Sequence, residues 1–202
     1  MPLFRRRRLP AERRPDLAPD ERIIDWASVA GDDMLVVTNL GAWLPGAASR
    51  LGWHEIHKAT WSGRQLALVA SREVGVDRAE AGTEGVDGAE AGAEGVDGAE
   101  AGTEGGYTVV EDLPAVVHTL LDPGDVPLHV RSRVTKSIAY TSHHPLPAGG
   151  GVRVVARRVP GVNGLRWTVR YDDGTDRDAD SVRAATADLV AIGRAGIEDA
   201  VR

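Results

Sequence analysis

The residues best equipped for chemistry are two pairs of histidines and a run of aspartates. In "HEIHK", His54 to Lys58, a glutamate lies between two imidazoles. A zincin helix needs its two histidines four apart on one helical face, with the glutamate as base. His54 and His57 are three apart in a strand-like run, where side-chain alternation sends them to opposite faces. His143 and His144 are adjacent and precede Pro145, at the close of an expected helix, where an imidazole can meet the last carbonyls and the negative end of the dipole. A mixed site joining the two pairs stays open. The run "DDGTDRDAD" from Asp172 puts Asp176, Asp178 and Asp180 at positions one, three and five of a calcium loop. Ser181 then stands where that loop needs glycine, and Ala187 where it needs a bidentate glutamate. Turn formation and helix N-terminal charge account for these carboxylates better.

The chain has no cysteine, which removes thiolate ligands, disulfides and cysteine nucleophiles. It also lacks a phosphate-cradling glycine loop, a dinucleotide fingerprint and a serine-nucleophile elbow. The expectation is therefore a protein that is not an enzyme and carries no cofactor or metal. A reaction using His54 or His57 with a nearby carboxylate is the enzymatic reading that survives.

The formal net charge of -6 conceals a segregation. Gly75 to Gly106 is a decapeptide array of the form G-V-D-G-A-E-A-G-[TA]-E, with nine acids and one arginine. One valine per repeat cannot offset an ordering cost of about 1 to 2 kcal/mol per residue, so the array reads as a disordered acidic loop. The first fourteen residues carry six arginines against Glu12. Proline and charge follow that basic start where an export signal would have an apolar run, and no apolar run approaches the roughly 20 residues that cross a bilayer. A cytoplasmic protein without a transmembrane segment is expected.

Before the array, "RIIDWAS", "MLVVTNLGAWLPG", "RLGWHEIHKATWSG" and "RQLALVAS" read as strands of a meander, and "YTVVEDL" and "AVVHTLL" resume it afterwards. In the third run Trp53, Glu55 and His57 would share one face, making Trp53 and His57 a candidate surface patch. "DPGDVPLHVRSRVTKSIAYTSHH" reads as a helix, with Asp125 as N-cap and Val126, Val130, Val134 and Ile138 at i+4 spacing, although its β-branched content would suit a strand almost as well. After "PLPAGGG" comes a hairpin, "VRVVARRV" and "LRWTVRY". Leu165, Trp167, Val169 and Tyr171 define a core face, opposite a wet, basic one. The last element is a helix capped by Asp178 or Asp180, with Val182, Ala185, Leu189 and Ile192 as its apolar stripe.

The Thr-Asn and Trp placement in "VVTNLGAWLPG" followed by "RLGWHEIHKATWSG" resembles bacterial pleckstrin-homology-like domains over Asp20 to His144. The text from "LGWHEIHKATW" and from "SIAYTSHHPLPAGGG" also resembles an uncharacterised family of small actinobacterial proteins. The first resemblance implies a curved antiparallel sheet with a covering helix and a binding or scaffolding role. The expected organisation is a basic arm over 1–19, a domain over 20–144 interrupted by the loop 75–106, and a β-hairpin with a C-terminal helix over 145–202. The fold class is thus α+β. The expected function is a non-enzymatic interaction module with a protein partner. The alternative is a binder of nucleic acid or anionic lipid, using Arg5, Arg6, Arg7 and Arg8 of the arm and Arg153, Arg157, Arg166 and Arg170 of the hairpin.

Overall fold

A computed structural model describes residues 9–77, 106–147 and 149–201. The chain is α+β, as its runs predict; among the described residues the strands are mostly antiparallel and there are two α-helices, the second at the C-terminal end. It divides into two compact units: Met1–Ser71 with Asp112–Lys136, and Arg72–Glu111 with Ser137–Arg202.

The first unit opens with β1 (Ile23–Val29), β2 (Asp33–Thr38), β3 (Gly41–Trp43) and β4 (Leu51–Gly52), paired in that order. Gly31 and Asp32, at φ 96° and 58°, make the reversal between β1 and β2; this left-handed pair matches the twist of a tight hairpin. The run "MLVVTNLGAW" is two strands, because the Thr38 hydroxyl accepts the N–H groups of Leu40 and Gly41 and bends the chain after β2. The next run is also interrupted. Trp53–Glu55 is a 3-10 turn between β4 and β5 (Ile56–Ser62), closed by the Gly52 N–H donating to the Glu55 carboxylate. A Cβ on Gly52 would fall 2.6 Å from the His54 ring, so the turn requires glycine there.

β5 pairs with β6 (Gln65–Asp77), and β8 (Val116–Thr119) pairs with the first residues of β6. Helix α1 (Val126–Ser137) covers this unit's core. Val126, Val130 and Val134 are buried with Leu35, Ile56, Leu66, Leu68 and Leu120, as the i+4 spacing predicts. The helix stops at Ser137, however, and Ile138–Pro145 is strand β9. The β-branched and aromatic letters "IAYT" satisfy their backbone against the strand Gly151–Arg158, so His143 and His144 do not end a helix.

The second unit holds the end of β6, β7 (Tyr107–Asp112), β9, β10 (Gly151–Arg158) and β11 (Leu165–Tyr171), in the order β6-β7-β11-β10-β9. β10 is antiparallel to both neighbours, and β7 is parallel to β11. This compact unit joins Arg72–Glu111 to Ser137–Arg202 and so includes β7, whereas the sequence predicts a hairpin region over 145–202. The expected loop over 75–106 also begins later, since β6 runs to Asp77; the array itself lies outside the described residues.

Helix α2 (Asp180–Val201) packs its buried Val182 and Val190 with Val152, Val154, Ala156, Trp167 and Val169. The apolar stripe differs from the expected one. Ile192 is 65% exposed, while Thr186 and Gly193 are buried. The Thr186 hydroxyl donates to the Val182 carbonyl and accepts from Tyr171 Oη, so it enters the core without an unmet polar group. The carboxylates before α2 make turns: Thr175 N–H donates to the Asp172 carbonyl and Ala179 N–H to that of Asp176.

Candidate functional site

The residues singled out from sequence separate into several environments. Arg5, Arg6, Arg7 and Arg8 lie outside the described residues. Trp53 is not part of a surface patch: it is 3% exposed, because the 3-10 turn swings its indole into the core, where Nε1 donates to the Thr38 carbonyl. His57 sits at a bulge between Ile56 and Lys58, with Nδ1 2.6 Å from Asp112 Oδ1. An aspartate holding one imidazole nitrogen is an orienting arrangement.

The hairpin arginines share one face of the second unit's sheet. Arg153 lies directly opposite Arg170, and Arg157 opposite Arg166, with His143 opposite Arg153 on the far side. Like charges placed opposite one another cost stability unless a counter-charge is supplied. Arg166 pairs with Glu73. Arg157 is not available as an anion contact: it is 4% exposed, its Nη1 donates to the Ser137 hydroxyl at 2.9 Å, and burial pushes its pKa below the ordinary arginine value. His143 and Asp172 reach over the middle strand to within 2.8 Å of each other. They can do so because Gly151 has no side chain; a Cβ there would lie 2.4 Å from the Asp172 carboxylate. His144 faces the other way, with Nε2 2.7 Å from the Ser142 hydroxyl.

Two features escaped sequence reading. The first is Glu21, whose side chain is fully buried. Its carboxylate accepts from Thr38 Oγ1 (2.6 Å), Trp43 Nε1 (3.0 Å), Arg50 Nη1 (2.7 Å) and the Ala18 N–H (3.2 Å). Burial alone would raise this carboxyl; the hydrogen bonds from Thr38, Trp43 and Ala18 and the Arg50 charge outweigh it and hold the group below its usual range. Asn39 beside it accepts from the Arg22 N–H and donates to the Asp20 carbonyl. The Thr-Asn pair thus anchors the segment entering β1.

The second is the outer edge of β8. Leu120 N–H donates to the Arg64 carbonyl, and the register sets Leu66 opposite His118 and Ala67 opposite Val117. Antiparallel alternation then turns the Val117 N–H and C=O away from β6. Val116 and Val117, adjacent and therefore on opposite faces, are both 52% exposed, and Leu121, just beyond the strand, is exposed as well.

His118, the next residue in β8 and opposite Leu66, is buried, and its Nε2 has no partner among the described residues. Burial holds its pKa below the ordinary value, against a smaller opposing pull from Asp33. The unfolded chain therefore binds more protons as pH falls from about 6.5, and stability contributed by neutral His118 is lost on passing through the folded value. His118→Leu is expected to flatten this limb; urea midpoints of both proteins between about pH 7 and pH 5 check it.

No protein-family model matches the chain, and no curated protein or solved structure is significantly similar to it.

Proposed function

We propose that the chain is a non-enzymatic, cytoplasmic interaction module whose first unit, read as pleckstrin-homology-like, binds an extended segment of a protein partner along β8. The observation that carries this reading is the outward-facing Val117 backbone, with the Val116 and Val117 side chains both half-exposed. An edge of this kind pairs with an added strand, main chain supplying affinity and alternate side chains specificity. Within the first unit, the stretch Asp112 to Asp125 holds three acids and neither lysine nor arginine, which favours an apolar segment flanked by basic residues. The covering helix α1 behind the sheet supports the domain reading.

Val117→Pro tests it. Proline at 117 removes a donor that faces outward, leaving the ladder to β6 intact. Binding proteins recovered by the wild-type chain should be lost with Val117→Pro while its unfolding midpoint stays close to wild type. Recovery of the same proteins by both chains would refute the reading.

A polyanion-binding alternative draws its support from the Arg153 and Arg170 pairing across the hairpin. It requires binding to duplex DNA or anionic vesicles that falls steeply with salt and drops with Arg153→Glu. Absence of binding at low salt removes it.

A further inference from the structure

We infer that Arg22 and Arg133 form a site on the first unit for a dianionic phosphate monoester. The site shares no residue with the β8 edge, so it goes beyond the interaction-module reading and does not rest on it.

The backbone brings the two arginines to one place. Arg22 immediately precedes β1, and Asn39 immediately follows β2, the strand with which β1 pairs. These two residues exchange hydrogen bonds: the Arg22 N–H donates to Asn39 Oδ1 at 2.6 Å, and the Asn39 N–H donates to the Arg22 carbonyl at 3.2 Å. The Asn39 carbonyl in turn accepts from Arg133 Nη1, on α1, at 3.3 Å. One residue therefore joins the Arg133 guanidinium to the Arg22 main chain, and all three belong to the first unit.

Neither charge is met within the fold. Arg22 and Arg133 make no ion pair among the described residues. Glu21, next to Arg22, is turned inward to Thr38, Trp43 and Arg50. Partial burial pushes the Arg133 pKa below the ordinary arginine value, and the neighbouring Arg22 charge pushes it the same way. Like charges held together in this way favour a bound counter-ion. Arg133 gives one of its guanidinium donors to Asn39, and the Arg22 side chain gives none to a described residue. The planar donor forks that remain match the oxygens of a phosphate. A phosphate monoester carries nearly two negative charges at neutral pH, which matches the pair, whereas a carboxylate leaves one arginine unmet.

Side-chain N–H resonances of the full chain, titrated in low salt with phenyl phosphate at about pH 7.5, read the site directly. The Arg22 and Arg133 signals should shift together and saturate. Arg22→Gln keeps the backbone bonds to Asn39, and should weaken the affinity about tenfold or more. Phenyl phosphate should also raise the thermal midpoint of the wild type. Arg22→Glu gives Arg133 a resident carboxylate, so its midpoint without ligand should match or exceed that of wild type while the further rise with phenyl phosphate disappears. Arg5 to Arg8 remain in both variants, so undiminished affinity in Arg22→Gln assigns the binding elsewhere and overturns the inference. An equal response to acetate overturns it as well. Vesicles containing phosphatidic acid identify the source of the phosphate. If they shift the same two signals and phosphatidylcholine does not, the ligand is a lipid headgroup; a response confined to phenyl phosphate makes it a soluble ester. Both results place the phosphate at the same two arginines.

Discussion

Glu21→Gln is expected to destabilise the first unit by about 3 kcal/mol, measured as a lower urea midpoint at neutral pH. The carboxylate is wholly enclosed and is the common acceptor for Thr38, Trp43, Arg50 and the Ala18 N–H. An amide offers one acceptor oxygen and turns an NH2 group toward donors, leaving at least one of them unmet. Breaking a buried pair costs roughly 3 to 5 kcal/mol, and the lower figure applies because Arg50 is partly exposed and regains water. A pH signature separates lost charge from lost shape. The folded carboxyl is held below its ordinary value, so its stabilisation is complete above the unfolded value of about 4.5 and disappears as pH falls through the folded one. Wild type should therefore lose more stability than Glu21→Gln between about pH 5 and pH 3. Parallel acid limbs in the two proteins would show that Glu21 acts by shape alone.

The Glu21 network also marks where sequence reading stops. Its side-chain partners lie 17 to 29 residues away, and nothing local in "APDERIID" distinguishes Glu21 from a solvated acid. Patterns whose period and partner are both local were legible. Leu165, Trp167, Val169 and Tyr171 do line one face of β11, and Val126, Val130 and Val134 do enter the core from α1. The i+4 pattern then ran on to Ile138, where propensity was evenly balanced and pairing with β10 decided for strand. Strict alternation puts Trp53 on one face with His57 as a candidate patch, but a glycine and a glutamate fold that segment into a 3-10 turn and break the alternation. The β8 edge illustrates a different limit. "AVVHTLL" reads correctly as a strand, but whether a strand has a neighbour on both sides belongs to topology, which the letters do not carry.

Gly193→Val should undock α2 from its sheet at a cost of about 3 kcal/mol, and two other glycine substitutions in the same helix calibrate it. The turn at Gly193 lies against both rings of the Tyr140 and Trp167 pair, whose centroids are 5.6 Å apart, while Arg194 stacks its guanidinium 5.5 Å from the Trp167 ring. A Cβ at 193 would stand 3.0 Å from Trp167 Cζ3 and from Tyr140 Cε1. Alanine gains about 1 kcal/mol of helix propensity over glycine and returns most of it in moving the two rings, so Gly193→Ala should be near neutral. Valine gains less propensity and drives two further methyls into the rings, with Trp167 unable to retreat because Val154 and Val169 fill the layer beside it. Gly196, three residues on, has nothing within 4 Å of its Cβ position, so Gly196→Ala should stabilise by about 0.5 to 1 kcal/mol. Thermal unfolding followed in the near-ultraviolet reads the Trp167 environment directly. Equal midpoints for Gly193→Val and wild type would mean that α2 does not depend on this close approach; a raised Gly196→Ala midpoint with a depressed Gly193→Val one places the constraint at the ring pair rather than in the helix backbone.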